Sequence, residues 1–197
     1  MRLAIVASAV GNLASVQAAV ERLGIPYDLT SEPEIIRAAS HVIFPGVGAA
    51  ASAMADIDAK GLRQTLLGLK QPLMGVCLGM QLLYDVSDEG GGVPCLGLIP
   101  GRLRLLPDRD VTIPHMGWNQ LSLRQPSHPL LRGVTNGDYC YFVHSYFAPV
   151  GPETLAETDH GAAISAIVQH GNVYGCQFHP ERSGPVGARI LANFLAL

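Results

Sequence analysis

The first part of the chain alternates short apolar runs with segments of helical periodicity, and this alternation restricts the possible folds more than any other feature. Residues 3–7 have the length and composition of a buried strand, and apolar residues at helical spacing follow between 13 and 23. The same criteria predict strands at 27–30, 41–44 and 72–76, and helical segments near 35–36, 50–58 and 62–69. Alternating strands and helices form a parallel sheet that is covered on both faces. The sequence therefore predicts an α/β fold.

From about Arg102 to Phe178 the pattern changes to short strand-like runs separated by Gly, Pro, Asn and Asp. These residues favour turns, so the region predicts an antiparallel extension of the sheet. A closing helix over 186–195 places its apolar residues on one face. The expected fold class is a mostly parallel open sheet flanked by helices, with an antiparallel, strand-rich second half. No repeat or linker interrupts the chain, so residues 1–197 are predicted to form a single domain.

Charge and cysteine content narrow the function classes. The net charge is −3, and the 13 Lys and Arg residues do not cluster, which argues against a nucleic-acid partner. The four cysteines lie far apart and lack the paired spacing of a zinc site, so we predict reduced thiols in the cytoplasm, no metal and no cofactor. The first apolar run is too short for a secretory signal, and no run approaches the roughly 18 apolar residues of a membrane span.

Cys77 is the candidate nucleophile. It follows an apolar strand, has Gly75 and Gly79 two positions to either side, and precedes a helix-like run. This is the form of a nucleophile elbow, in which a tight turn exposes the central side chain and small neighbours give strand and helix room to approach. A helix N-terminus and its dipole would also favour the thiolate. The alternative is a small buried cysteine of the core, which is common in proteins.

A nucleophilic cysteine needs a base, and the base needs a partner that orients it. Among the seven histidines, only His179 is followed two positions later by an acidic residue, Glu181. Residues i and i+2 of an extended segment point to the same side, and Pro180 biases His179 toward extended backbone. We therefore predict that Cys77, His179 and Glu181 form a triad.

Motifs along almost the whole chain resemble those of one enzyme family. GVCLGMQLL at 75–83 and GCQFHPERSG at 175–184 are similar to motifs of the class I, or triad-type, glutamine amidotransferases. Five further motifs narrow the resemblance to the glutaminase subunits of imidazole glycerol phosphate synthases: GNLASV at 11–16, PGVGAA at 45–50, GLIPGRL at 97–103, IPHMGWNQL at 113–121 and YFVHSYF at 141–147. The resemblance implies hydrolysis of L-glutamine to glutamate and ammonia, and a (β/α)8-barrel cyclase subunit that receives the ammonia in histidine biosynthesis.

The resemblance also implies roles for individual residues. Cys77 would attack the glutamine carboxamide, His179 would protonate the departing ammonia, and Glu181 would orient His179. The implied oxyanion donors are the backbone N–H groups of Val47 and Leu78, and the implied glutamine-binding residues are Gly48, Gln81, His144, Ser145 and Tyr146. The implied cyclase interface contains Asn12, Trp118, Tyr141 and Arg182. Without the resemblance, Gln81 would be an ordinary helix-surface amide, and Trp118 could equally be a core aromatic.

The chain departs from the family pattern at Ser8, Ala9, Ala50 and Arg182, all outside the triad, and these differences bear on the cyclase contact. Two alternatives remain open. One is a glutaminase subunit of another synthase, of the pyridoxal phosphate synthase type, against which IPHMGWN argues. The other is a non-catalytic binding module on the same fold, which would be expected to lack a triad member or Gln81.

The PGVG motif also predicts a control point. Gly46 and Gly48 flank Val47, and glycine tolerates backbone angles that are closed to other residues. The Gly46–Val47 peptide can therefore turn its N–H toward Cys77 or away from it. We expect the outward state in the isolated chain and the inward state with liganded cyclase, as a population shift.

Overall fold

The computed structural model describes residues 2–7, 13–108 and 111–197. The helices in this part of the chain are α1 (Leu13–Arg22), α2 (Pro33–Ala38), α3 (Ala50–Ala59), α4 (Leu62–Leu67), α5 (Leu78–Gln81) and α6 (Gly184–Leu195). The strands are β1 (Leu3–Val6), β2 (Tyr27–Thr30), β3 (His41–Gly46), β4 (Leu73–Cys77), β5 (Tyr84–Ser87), β6 (Val93–Pro94), β7 (Ile99–Leu105), β8 (His115–Gln120), β9 (Ser122–Leu123), β10 (Tyr139–His144), β11 (Tyr146–Phe147), β12 (Thr154–Asp159), β13 (Ala163–His170) and β14 (Val173–Cys176).

The largest sheet contains eight strands in the order β2-β1-β3-β4-β14-β13-β12-β9. The strands from β2 to β14 in this order run parallel, and β13, β12 and β9 continue the sheet in antiparallel pairing. The predicted fold class, a mostly parallel sheet with an antiparallel second half, is confirmed. Whether residues 1–197 fold as one domain stays a prediction.

Apolar side chains cover both faces of this sheet, as the continuous apolar runs predict. Alternate residues of a strand point to opposite faces. In β1, Leu3 and Ile5 pack in a core cluster with α1 and α6, whereas Ala4 and Val6 pack in a second cluster with α2, α3 and α4. The ends of the parallel strands are therefore held from both sides.

The strand-rich second half is more divided than one antiparallel extension. Only β9, β12, β13 and β14 join the main sheet. β8 and β10 form a separate antiparallel ribbon, and β7 and β11 join β5 and β6 in a four-stranded sheet where β5 and β7 run parallel. Within the described residues, no helix is long and apolar enough to cross a membrane.

The helix after Cys77 is much shorter than the helix-like run predicts. α5 contains only four residues, and β5 begins at Tyr84. The reason lies in the carbonyls of Leu82 and Leu83, which accept hydrogen bonds from the N–H groups of Leu96, Leu98 and Ile99 instead of continuing a helix. Tertiary pairing therefore overrides local helical preference here.

The two glycines around Cys77 provide the predicted space. A Cβ added at Gly79 would overlap the carbonyl oxygen of Phe44 on β3, and one added at Gly75 would lie 2.6 Å from the backbone nitrogen of Met80. In both cases the obstacle is backbone, which cannot move aside as a flexible side chain does. The close packing of β3, β4 and the turn after β4 therefore requires glycine.

Gly79→Ala is expected to lower the free energy of unfolding by about 3 kcal/mol, because overpacking against backbone forces the elbow and β3 apart. Chemical denaturation followed by circular dichroism measures the change. Gly151→Ala is the matched control, since its Cβ would lie 3.7 Å from a Glu153 oxygen in ordinary contact. Equal stability of the two variants would contradict this account of the elbow.

Candidate active site

Three neighbouring parallel strands end at the same edge of the sheet. β3 ends at Gly46, β4 at Cys77 and β14 at Cys176, and the register pairs Gly46 with Cys77. Ligand sites of open α/β sheets lie beyond the carboxyl ends of the strands. Here the segments that leave β3 and β14 carry Val47 and His179, so the strand order places these residues on either side of Cys77.

Cys77 has a backbone conformation that is unusual for a residue with a side chain. Its φ is 54° and its ψ is −115°, and in the described part of the chain it is the one non-glycine residue with positive φ. Such a conformation costs on the order of 1–3 kcal/mol and persists only where the surrounding structure enforces it. The thiol is buried and lies 3.6 Å from the carbonyl oxygen of Val143. This strained turn matches the predicted elbow and distinguishes Cys77 from an ordinary core cysteine.

The helix dipole contributes less at Cys77 than the sequence suggests. A helix of four residues sums few peptide dipoles, so α5 supplies little macrodipole. What the turn does supply is the backbone N–H of Leu78, which is the first residue of α5 and therefore has no intrahelical partner. In this elbow, local backbone N–H groups provide the positive field that a longer helix would otherwise supply.

His179 and Glu181 form a buried pair. The distance from His179 Nδ1 to Glu181 Oε1 is 2.8 Å, and the two side chains are 9% and 2% exposed. The local geometry differs from the extended segment that the sequence suggests. His179 is extended, but Glu181 lies in a 3₁₀ turn over Pro180–Arg182. Proline at the first position of this turn fixes a φ that suits both conformations, so the pairing forms through a turn.

Ser183 holds this pair in place, although no sequence pattern singles it out. Its hydroxyl donates to the carbonyl oxygen of His179 at 2.7 Å and accepts the N–H of Tyr141 at 3.0 Å. The N–H of His179 in turn donates to the carbonyl oxygen of Tyr141 at 2.9 Å. β10 is thereby fastened to the segment that carries His179.

The charge state of His179 follows from its two partners. Burial by itself lowers the pKa of His179, but hydrogen bonds and charge interactions with Cys77 and Glu181 outweigh burial and raise the pKa to about 10. His179 is therefore an imidazolium near neutral pH, in contact with the cysteine on one side and the carboxylate on the other. An imidazolium stabilises the thiolate form of a neighbouring cysteine, and the thiolate is the reactive nucleophile.

Beside Cys77 lies a cavity of about 330 Å³, a size suited to a small-molecule substrate. Nine residues singled out in the sequence line it: Val47, Gly48, Cys77, Leu78, Gln81, His144, Ser145, Tyr146 and His179. Glu181 is outside this lining and lies behind His179. The structure thus brings the candidate nucleophile, the candidate base, both oxyanion candidates and the substrate-binding candidates to one cavity.

Gln81 is not the surface amide that its position on a helix suggests. It is 6% exposed, and its Nε2 donates to the carbonyl oxygen of Tyr146 at 2.8 Å and to Gln177 Oε1 at 3.0 Å. The helix is too short to have a solvent face at this residue. The Gln81 amide is therefore held in one orientation at the cavity wall.

Glu89 is a cavity residue that sequence reasoning missed. Its Oε2 accepts the backbone N–H of Ala50 at 2.7 Å, and the residue lines the same cavity as Cys77. It lies in a 3₁₀ turn over Glu89–Gly91, within a glycine-rich stretch that carries no motif. It adds a carboxylate group to the wall of the cavity.

Three of the predicted interface residues form a surface patch, in which Trp118 and Arg182 are exposed and Tyr141 is half-buried. Trp118 is 55% exposed, so the core alternative for this residue is wrong. Its ring meets that of Tyr141 edge to face at 5.9 Å, and the guanidinium of Arg182 lies 5.9 Å from the centre of the Tyr141 ring. Asn12 and two of the departures from the family pattern, Ser8 and Ala9, lie outside the described residues.

The profile of the family "Glutamine amidotransferase class-I" matches residues 4–197. The chain belongs to this family. The amidotransferase is 51% identical over 187 residues to a protein of Xylella fastidiosa named imidazole glycerol phosphate synthase subunit HisH, with 94% of this chain and 92% of the relative covered. It is 44% identical over 191 residues to a protein of the same name from Vibrio cholerae, with 94% of each chain covered.

Solved structures support the same fold at much lower sequence identity. A crystal structure described as a glutamine amidotransferase superposes with a TM-score of 0.75 at 20% identity, covering 98% of this chain and 97% of that chain. The glutaminase domain of Trypanosoma brucei CTPS, solved with bound acivicin, gives a TM-score of 0.67 at 16% identity and covers 100% and 94% of the two chains.

His179 is expected to keep its proton until the pH approaches about 10, well above the ordinary value of 6.5. Because the folded-state pKa is raised, the stability that this proton contributes is fully present below pH 6.5 and is lost as the pH rises toward 10. NMR titration of the imidazole in the wild type and in Cys77→Ser measures the effect. Removing one of the two partners should lower the pKa, and an unchanged titration in Cys77→Ser would show that Cys77 has no contact with His179.

Proposed function

We propose that this amidotransferase is the glutaminase subunit of imidazole glycerol phosphate synthase, which hydrolyses L-glutamine and passes the ammonia to a cyclase subunit for histidine biosynthesis. The observation that carries the catalytic part is the position of Cys77 between the Val47 loop and the paired His179 and Glu181. The relatives named HisH support the assignment to this synthase. A cytoplasmic location is part of the proposal and is consistent with four free, buried thiols.

In the first half of the proposed reaction, the Cys77 sulfur bonds to the carboxamide carbon of glutamine. As the tetrahedral intermediate collapses, the C–N bond breaks and His179 gives its proton to the departing nitrogen. The products are ammonia and a glutamyl thioester on Cys77. Glu181 keeps Nδ1 of His179 occupied, so the other ring nitrogen is directed at the reacting atoms.

In the second half, water attacks the thioester and gives one proton to His179. The C–S bond breaks, glutamate leaves, and the cysteine–imidazolium pair is restored. The negative oxygen of both tetrahedral intermediates needs backbone donors, and the N–H groups of Leu78 and Val47 are the candidates because both residues border the cavity beside Cys77.

The partner is proposed to be a cyclase with a (β/α)8-barrel fold. The surface patch of Trp118, Tyr141 and Arg182 is the proposed contact, together with Asn12. Aromatic and arginine side chains are enriched among residues that dominate binding energy at interfaces. The patch is joined to the site through β10, because Tyr141 bonds the His179 segment through both of its backbone groups.

Cys77→Ala and Cys77→Ser are expected to reduce glutamine hydrolysis by at least about 10³-fold, because each removes the nucleophile while the fold remains. Glu181→Gln should reduce turnover less, since Glu181 acts through His179. Glutamate release by the complex with cyclase measures the rates, and circular dichroism checks the fold.

Cys95→Ser is the matched control for these variants. Cys95 is also buried, but it lies outside the cavity, and burial raises its thiol pKa to about 11. This variant should retain wild-type turnover. Near-normal glutaminase activity in Cys77→Ala would contradict the nucleophile assignment, and activity at or above wild type in Glu181→Gln would remove Glu181 from the triad.

The isolated chain is expected to be a poor glutaminase that cyclase with its nucleotide ligand activates strongly, by about 10²- to 10³-fold if one oxyanion donor is gained. Gly48 offers the cleaner test of the loop. A Cβ at Gly46 would come within 2.9 Å of the Gly79 nitrogen and disturb the elbow itself, whereas Gly48 follows Val47 with a positive φ of 94°. Gly48→Ala should reduce the activation more than it weakens association.

The control for strain is Gly171→Ala, a positive-φ glycine in the turn between β13 and β14 with no atom within 4 Å of the added Cβ. It should leave activation unchanged. The test compares the glutaminase rates of the free chain, the complex and the liganded complex. Calorimetry measures the association. Equal rates for the free chain and the liganded complex would refute the switch.

A further inference from the structure

Two buried histidines face each other beside the catalytic cavity. His115 on β8 and His144 on β10 are partners in the strand register, and His115 Nδ1 lies 2.9 Å from His144 Nε2. They are 4% and 6% exposed. His144 lines the cavity that contains Cys77, whereas His115 does not touch it. A hydrogen bond therefore runs into the cavity wall from a residue outside it.

The direction of this bond is set at the cavity end. His144 Nδ1 lies 3.0 Å from the carbonyl oxygen of Tyr146, which can only accept a hydrogen bond. Nδ1 of His144 must then carry the proton, and its Nε2 is an acceptor. His115 must consequently donate from Nδ1.

The other end of this hydrogen-bond chain, at Asn119, requires the same proton positions. The Asn119 Oδ1 accepts the N–H of Gln120 at 2.8 Å, and its Nδ2 donates to the carbonyl oxygen of Asp159 at 2.8 Å. The amide orientation is thereby settled. The same Nδ2 lies 3.2 Å from His115 Nε2, which is therefore an acceptor. The Tyr146 carbonyl and the Asn119 amide therefore both require that His144 and His115 are neutral and protonated at Nδ1. In this arrangement every donor has an acceptor.

The surroundings of the two rings also favour the neutral state. Burial, followed by repulsion from His160, lowers the pKa of His115 to about 4. Burial, followed by repulsion from His115, lowers the pKa of His144 to about 3, with smaller contributions from His160 and His179. The ring of His115 is stacked on both sides: its centre lies 4.1 Å from that of His160 and 4.8 Å from that of Phe142. No acidic side chain bonds either ring among the described residues.

At the cavity, the chain of bonds meets the amide of Gln81. The Tyr146 carbonyl oxygen accepts both His144 Nδ1–H and Gln81 Nε2–H, the latter at 2.8 Å. The second Nε2 hydrogen of Gln81 goes to Gln177 Oε1. In the described part of the chain, Gln81 Oε1 has no donor, and its position depends on where the Tyr146 carbonyl is held.

We propose that His115 is a positioning residue for substrate binding: its Nδ1–H fixes the ring of His144, and through the Tyr146 carbonyl it fixes the amide of Gln81 against which glutamine is bound. The inference rests on the proposed glutaminase function. It predicts that loss of the donor at His115 affects the KM for glutamine and leaves the chemical step largely intact, because no reacting atom touches His115.

Three variants isolate the donor. His115→Phe keeps a ring between Phe142 and His160 and removes the donor, whereas His115→Asn places an amide N–H where Nδ1 stood. His160→Phe keeps a ring stacked on His115 and is the matched control. In the complex with cyclase, His115→Phe should raise the KM for glutamine roughly 3- to 10-fold, the effect of one lost hydrogen bond, with kcat within about twofold. His115→Asn should recover most of this loss, and His160→Phe should match the wild type.

Nitrogen-15 NMR of the His144 ring is the readout that a merely structural role would not move. In the wild type and in His115→Asn the ring should stay neutral and protonated at Nδ1 between about pH 5 and pH 8. In His115→Phe, burial should keep the ring neutral, and the Nε2 resonance should shift because this nitrogen has lost its hydrogen-bond donor. Unchanged KM and unchanged His144 spectra in His115→Phe would overturn the proposal, as would a His115→Asn variant as defective as His115→Phe.

If His115→Phe does not fold, Asn119→Asp provides a second route. A carboxylate in place of the amide accepts at His115 Nε2 instead of donating, which favours the opposite tautomer of His115 and breaks the bond to His144. The same rise in KM is expected, and a wild-type KM would overturn the proposal. If the complex hydrolyses no glutamine at all, the proposed function fails, whereas the His144 spectra still decide the hydrogen-bond chain.

Discussion

The pairing of β14 with β4 is the interaction on which the site depends. β14 comes from the second half of the chain, yet it runs parallel to β4 and ends level with it, with Cys176 opposite Val76. The same strand continues the sheet into the antiparallel β13. If β14 were one strand position away, His179 would lie roughly 5 Å farther from Cys77, and no proton could pass between them. Backbone hydrogen bonds of the sheet thus set the geometry of the chemistry.

The strained backbone of Cys77 persists because packing around it leaves no alternative. Gly79 lies against the carbonyl of Phe44, so the turn after β4 cannot relax toward β3. On the other side, the carbonyls of Leu82 and Leu83 accept hydrogen bonds from the segment that leads into β7. The turn is therefore held from both ends, and the thiol stays at the cavity although its φ is unfavourable.

Much of this arrangement can be predicted from the sequence, because it depends on local pattern. Apolar runs predict the strands that end at the cavity, and the glycines around Cys77 predict the elbow. The order of the strands cannot be predicted in this way, since nothing local states that β14 joins β4. The length of α5 and the turn at Glu181 also escape local reasoning, because tertiary hydrogen bonds and Pro180 decide them. Glu89 carries no signal, since its role arises only where its loop meets the start of α3.

The cavity holds two histidines in opposite charge states, and their neighbours explain the difference. Hydrogen bonds and charge interactions with Cys77 and Glu181 favour the cation at His179. His144 lies between the donor of His115 and the carbonyl of Tyr146, an arrangement that needs a neutral ring. A second cation here would repel the His179 imidazolium and lower the pKa of His179. The hydrogen-bond chain that ends at Asn119 is satisfied only when His144 is neutral, so it adds to the effect of burial and leaves His179 without a second cation beside it.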